Sequence, residues 1–311
     1  MAVNATRAAA RSAAPTTVER KPLSIGRIVA WAALILVILI ILVPFYWVLR
    51  TALSTNRELY ANPTSWLPVG FTFENFARVL GLLSAQESLA AGGSGQALHF
   101  WLYLRNSIIV TVLTVVGQVF FSSMAAYAFA RLRFPLREQI FGLYISALMI
   151  PSIVTLIPNY VLIRNLGWLN TFQGIVAPAL LMSPFAVFFL RQFFLGINHE
   201  VEEAAMLDGV SLAGIYWRIV LPLAGPPITT LAILTFISTW NNYLWPFLVG
   251  QDENVRVLTV ALSVFRSSTP QGAPDWSGLM AGAALSILPS ILLFAILGRR
   301  VINSIQFSGY K

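Results

Sequence analysis

Residues 28–49 read "IVAWAALILVILIILVPFYWVL", an unbroken run with no charged side chain. A hydrocarbon layer about 30 Å thick needs roughly 20 helical residues to cross it. This run is long enough. It is too long for the apolar core of a signal peptide, and no small-residue cleavage site follows it, so it reads as a retained anchor helix. Five more segments qualify on the same criterion: about 106–130, 139–162, 173–195, 221–248 and 278–298. A backbone in lipid must satisfy its own hydrogen bonds, so each is expected to be helical. Pro44, Pro151, Pro158, Pro178, Pro184, Pro246 and Pro289 fall inside these spans. Proline is tolerated there where neighbouring helices, polar side chains or water satisfy the freed carbonyls. The expected fold is an all-α polytopic membrane protein of about six transmembrane helices, with residues 28–300 as the membrane domain.

Composition leads the same way. The 311 residues are 57% hydrophobic and 10% charged, with a mean hydropathy of +0.75. A soluble domain carries about a quarter charged residues. Absence of cysteine excludes disulfides and thiolate metal sites. His99 and His199 lack metal-ligand spacing, so no metal or cofactor is expected in this chain. Lys21 and Lys311 are the only lysines, and neither follows a GxxxxG, which rules out a phosphate-cradling P-loop. If ATP drives this protein, another polypeptide hydrolyses it. The net charge of +8 is explained by basic residues gathered on one side of a membrane rather than by nucleic acid.

Orientation follows from those basic residues. With the N-terminus inside, thirteen of the twenty Lys and Arg fall on the inner side, including Arg131, Arg133, Arg137, Arg191 and Arg218. Both termini are then expected in the cytoplasm, with the chain in a plasma membrane. Residues 1–27 are Ala- and Arg-rich with one acid, Glu19, and read as a flexible cytoplasmic tail. Such a composition also suits an organelle transit peptide. Residues 301–311 form a second tail. Arg131, Arg133 and Arg137 are assigned to fixing topology and meeting anionic lipid, and Arg299 and Arg300 to a stop after the sixth span. In the outer segment 50–105, Phe73, Phe76, Val79 and Leu80 stand at helical spacing, which predicts a short amphipathic helix on the outer interface. No internal repeat is evident.

One inner segment breaks the pattern. "EEAAMLDGVSLAGIYWRIVLP" (202–222) brings acids into a loop that the charge rule would make basic, with only Arg218 nearby. Helix capping accounts for part of it. Carboxylates in a first turn complement the helix dipole by about 0.3–1 kcal/mol. Gly209 can take the left-handed conformation that ends a helix over 201–208, and Ser211 can cap a second helix over 212–220.

The spacing adds a resemblance. Glu203-Ala204-Ala205, three residues, Gly209, nine residues, Ile219, one residue, then Leu221-Pro222 resembles the EAA motif of ABC-importer permeases at every consensus position. Residues 28 to about 300 are similar to the carbohydrate importer permeases of the maltose type, and to the shorter, six-span member of the pair. The matching stretches include "PTSWLP", "FTFENFARVL", "AAYAFARLRFPLR", "STWNNYLWPFLV" and "DWSGLMAGAALSILPSILLFAILGRRVI". This resemblance implies a coupling helix around Glu203, with Asp208 and the other motif positions beside it, docked in a cleft of a cytoplasmic ATPase. It implies that Glu203 pairs with a basic residue there and that the small Ala204 and Ala205 allow close approach. It also implies the partners: a second permease subunit, a homodimeric ATPase binding ATP and Mg, and an external sugar-binding protein. The cargo would be a sugar or oligosaccharide. A glycerol phosphate permease shares the pattern, and an ATP-independent channel or secondary transporter is the reading from another class.

Two places offer polar groups for a substrate path. Asn241, Asn242 and Tyr243 fall within the expected fifth span beside Trp240 and Trp245, and Asn159 lies in the third. Intramembrane amides face protein or a cavity. Interhelical hydrogen bonding inside an aromatic belt accounts for them equally well.

Overall fold

The computed structural model describes residues 25–93, 95, 98–266 and 274–306; for residue 264 and residues 299–306 it describes the backbone. The N-terminal tail expected over 1–27 therefore lies almost wholly outside the described residues. Contacts divide the chain into Met1–Trp47 and Val48–Lys311. Every regular element among the described residues is a helix.

Helix α1 (Ile25–Ala52) carries the opening apolar run, with Pro44 inside it. Three short helices follow: α2 (Asn56–Ala61), α3 (Glu74–Val79) and α4 (Ala85–Ala90). Helix α4 starts with a capping box, in which Ser84 and Glu87 satisfy each other's backbone N–H. Those hydrogen bonds from the Ser84 backbone and hydroxyl hold the Glu87 carboxyl below the usual range. Helix α5 (Phe100–Arg131) is the longest element and contains no proline.

The next three expected spans are not continuous. Helix α6 (Arg137–Ser146) passes through one 3-10 turn and then meets α7 (Ser152–Asn165) at a 98° corner. Pro151 stands at that corner, where it supplies no N–H and forces the preceding residue into extended backbone. Helix α8 (Phe172–Leu180) and α9 (Pro184–Leu195) are bent by 41°, with Pro184 opening α9 behind the Ser183 cap. Helix α10 (His199–Leu207) is followed by α11 (Leu212–Ile215), a π-helical stretch Tyr216–Val220, and α12 (Leu221–Leu223). A bend of 77° then leads into α13 (Gly225–Trp240), which has Pro at its start. The expected fifth span thus starts four residues late: Leu221 and Pro222 belong to the segment before the bend. It also stops early, since α13 ends at Trp240 and α14 (Leu244–Val249) is separate. Helices α15 (Leu258–Ala261) and α16 (Trp276–Gln306) complete the chain. α16 continues as helix through residues 301–306, where a tail was expected. Among the described residues three helices are long and apolar enough to cross a membrane, or up to six if each bent pair counts as one span.

Helix α5 is the centre of the second unit. Its small residues Ser122, Ser123, Ala126 and Ala130 are buried along one face, where they let neighbouring backbones approach. Against that face pack Ala186, Val187, Leu190 and Phe194, which recur at helical spacing on α9. Closer to the middle, a Cβ on Gly117 would sit 2.7 Å from the Leu180 carbonyl oxygen of α8. No residue but glycine fits there without moving a backbone.

The short helix α3 forms as its spacing predicts, and it packs inward through polar as well as apolar side chains. Asn75, Arg78 and Val79 are buried while Phe73 is exposed. Arg78 Nη1 donates to Asp275 Oδ2 at 2.6 Å, and its Nη2 donates to Asn75 Oδ1 at 2.6 Å and Ser277 Oγ at 3.2 Å. Asp275 also accepts from the Gly278 N–H at 2.9 Å, in the first turn of α16. Nearby, burial and then the negative charge of Asp275 raise the Tyr60 phenol above its ordinary range.

Candidate functional site: a two-faced helix and a polar cavity

Helix α10 and the turn after it contain the acidic motif. Asn198 caps the helix by accepting from the Glu200 N–H, and Glu200 and Glu202 occupy its first turn. At the other end the Val210 N–H bonds to the Ala205 carbonyl and the Gly209 N–H to the Met206 carbonyl. These are the two bonds of a Schellman motif, which needs a left-handed residue at its corner. Gly209 has φ +80° and supplies it. Ser211 then caps α11 by accepting from the Gly214 N–H. Where an unbroken helix was expected to 220, the last turns widen to π geometry. Pro222 has no N–H to offer the Arg218 carbonyl, so the α ladder cannot run on in register.

The adjacent carboxylates of α10 face opposite ways. Glu203, Ala204, Leu207, Asp208 and Gly209 are exposed, and Leu207 is 91% exposed. Glu202 and Ala205 are buried. Ala205 packs with Tyr127, Ala130, Ile215 and Tyr216, so it belongs to the core and not to a surface for close approach. Ile219 and Leu221 are partly buried against the same cluster, and Pro222 is exposed.

Glu202 is not partnered by Arg218. Its Oε1 lies 2.8 Å from Arg131 Nε, and the two side chains are 4% and 2% exposed. Arg131 is therefore buried against α10 rather than turned to lipid headgroups. The distance is short, but neither atom makes a hydrogen bond of good direction, so the contact is an ion pair with a misaligned N–H. A second link crosses nearby: Ser123 Oγ on α5 and the Tyr216 hydroxyl are 2.7 Å apart. Arg137 and Arg191 both bond the exposed Glu138, with the Arg191 guanidinium 4.1 Å above the Phe141 ring. The sequence alone could have suggested such pairs only by pairing each Arg of the inner loops with each acid in turn.

A cavity of about 300 Å³ lies among α5, α7, α8, α13 and α14. Its polar lining comes from Thr114, Gln118, Ser152, Thr155, Asn159, Ser238, Thr239 and Asn242, with the Trp245 ring beside them. Among the described residues, no ionisable side chain lines it. Two of the four residues singled out in the sequence, Asn159 and Asn242, meet here although 83 positions apart. Asn241 and Tyr243 do not. The Asn241 amide bonds back to the Ile237 carbonyl at 2.8 Å, and Tyr243 stacks on Phe247. Both Asn241 and Asn242 sit in the break after α13, outside any helix. Trp240 is buried and donates its indole N–H to the Ser286 carbonyl of α16 at 3.0 Å, an interhelical bond. Gln118, Thr114 and Thr155 carried no sequence signal, since a lone hydroxyl or amide in an apolar helix has no periodicity to mark its direction.

The family described as binding-protein-dependent transport system inner membrane component matches residues 118–306. The chain belongs to that family. This permease is 32% identical over 267 residues to the sn-glycerol-3-phosphate transport system permease protein of Yersinia enterocolitica, covering 86% of the chain and 91% of that relative. It is 29% identical over 284 residues to the diacetylchitobiose uptake system permease protein of Streptomyces coelicolor, covering 91% and 88%. In fold, the permease matches a chain from a crystal structure of a bacterial ABC transporter involved in the import of the acidic polysaccharide alginate. The TM-score is 0.73 at 24% identity, over 90% of this permease and 97% of that chain. The permease is thus a membrane-embedded component of a transport system.

Proposed function

We propose that the permease carries a neutral sugar or oligosaccharide across the plasma membrane, beside a second permease subunit, powered by a cytoplasmic ATPase dimer and fed by an external binding protein. The observation that carries this reading is the split of α10. Its buried face is held by α5, and its outer face, with the cap residue after it, offers Glu203, Leu207 and Asp208 as exposed side chains among the described residues. A carboxylate and a large apolar side chain on an exposed helix suit a cleft with a basic residue, because a desolvated charge pair gives specificity. ATP and Mg are then bound by the partner chain. The excess of basic residues on that side supports a cytoplasmic position for α10 and both termini.

A glycerol phosphate cargo is the competing reading, and a relative of that name exists. The cavity favours sugar. A phosphate is held by Arg or Lys through charge-assisted hydrogen bonds, and the lining offers hydroxyls, amides and an indole instead. The test is co-purification of the permease from its own membranes, with and without Glu203→Lys. The expected result is an ATPase retained by the native chain and lost, or retained without stimulated hydrolysis, by the variant. Full ATPase binding and solute uptake in Glu203→Lys refutes the assignment.

A further inference from the structure

Helix α5 is gripped at both ends. At its C-terminal end Arg131 meets α10 and the turn before it three times. Nε faces Glu202 Oε1 at 2.8 Å, Nη2 donates to the Ile197 carbonyl at 2.6 Å, and Nη1 contacts His199 Nε2. At the other end the Asn106 amide donates to the carbonyls of Glu253 and Arg256, at 3.4 and 3.0 Å. There too Ser107 Oγ accepts from the Leu258 N–H at 2.7 Å. Between these grips, Val110, Thr114 and Gln118 face the cavity. The helix has neither proline nor break from Phe100 to Arg131. At 1.5 Å per residue, Asn106 and Arg131 are about 37 Å apart along it.

The Arg131–Glu202 pair is an expensive way to fasten two elements. A buried ion pair whose hydrogen bonds are incompletely aligned returns little net stability, and well-packed apolar residues do as well or better. Apolar packing is already present, because Ala205, Tyr127 and Ala130 join the same elements. What a buried pair adds is resistance to sliding: any shift of α10 along α5 separates two desolvated charges.

We propose that Arg131 and Glu202 are positioning residues that lock α10 to α5, so that a displacement imposed on α10 is carried by α5 to the cavity wall and to the 251–258 loop as one rigid motion. This rests on α10 being the surface that the ATPase moves. Apolar contact alone would let the helix roll, and the push would be lost before it reached Gln118.

The experiment uses the absence of cysteine in this chain. A Gln118→Cys substitution gives the permease one thiol, placed on the cavity wall. Its maleimide labelling rate is read on the permease band of the complex with its partner permease and ATPase, without nucleotide and with Mg-ATP plus vanadate. In the parent complex the nucleotide is expected to change that rate. Glu202→Gln and Arg131→Met should keep the ATPase bound, while the nucleotide response falls at least about fivefold, the lower end of ordinary coupling strengths. The exchanged pair, Arg131→Glu with Glu202→Arg, should recover part of the response, which a purely structural role does not predict. A full response in either single variant overturns the proposal. So does a parent complex that holds its ATPase yet shows no response, or loss of assembly in every variant including the exchanged pair, which would make the pair a folding element. Absence of any ATPase from the parent complex instead sinks the docking reading on which this rests.

Discussion

Replacing Arg78 by Met tests the polar joint between α3 and the start of α16 directly. The two charges of the Arg78–Asp275 pair are 1% and 0% exposed. The guanidinium is shared among Asp275, Asn75 and Ser277, and Gly93 lies so close that a Cβ there would overlap Arg78. Arg78→Met takes from Asp275 the cation that it bonds at 2.6 Å, at a cost of about 3–5 kcal/mol. Removing both charges, as in Arg78→Met with Asp275→Leu, should restore most of that, because an apolar pair of similar volume is close to neutral. The assay is the temperature at which detergent-solubilised permease loses its monodisperse peak. A loss of this size should lower the midpoint by at least about 5 °C, and the double variant should return to within about 2 °C of the parent. A single variant with the parent's midpoint, or a double variant worse than both singles, refutes the reasoning. Either outcome would mean that water or another cation already compensates Asp275.

Two further predictions concern glycines. Gly209→Val places a β-branched residue at φ +80° and should cost about 1–2 kcal/mol locally; ATPase retention on affinity beads should drop, with Gly209→Asn retaining more, and equal retention by both variants would show that the turn does not set the docking surface. Gly117→Val must push α8 away from α5 because the added carbon meets the Leu180 carbonyl. The expected cost is about 1–3 kcal/mol of overpacking, read as a lower thermal midpoint together with reduced solute uptake, and an unchanged midpoint would contradict the close approach.

The sequence made the membrane class, the all-helical fold and the turn at Gly209 legible, because each depends on local properties: run length, hydropathy and one backbone angle. It failed where geometry is set across the chain. Prolines at 151 and 184 look alike to Pro158 and Pro178 in a hydropathy reading, yet the first pair stand at corners and the second pair inside helices. The difference lies in which neighbour covers the freed carbonyls, and no single window contains that neighbour. Arg131 was read as a lipid-facing charge because positive residues at a span's end ordinarily are; its partner lies 71 positions away on α10. The cavity was half legible. Asn159 and Asn242 were found as amides in apolar surroundings, while Asn241 and Tyr243 were chosen by adjacency and point elsewhere.

The corner between α6 and α7 has a consequence for how the chain is made. At 1.5 Å per residue α7 is about 21 Å long and α6 about 15 Å, and neither reaches across a hydrocarbon layer of about 30 Å. The carbonyls released at Ile150 have no water to turn to inside lipid and must be covered by protein. This segment cannot enter the bilayer as a lone helix waiting for company. Part of its cover is made later, since the Tyr144 hydroxyl donates to the Met182 carbonyl at 2.9 Å just ahead of α9, so a settled crossing by α6 and α7 has to await the synthesis of α9.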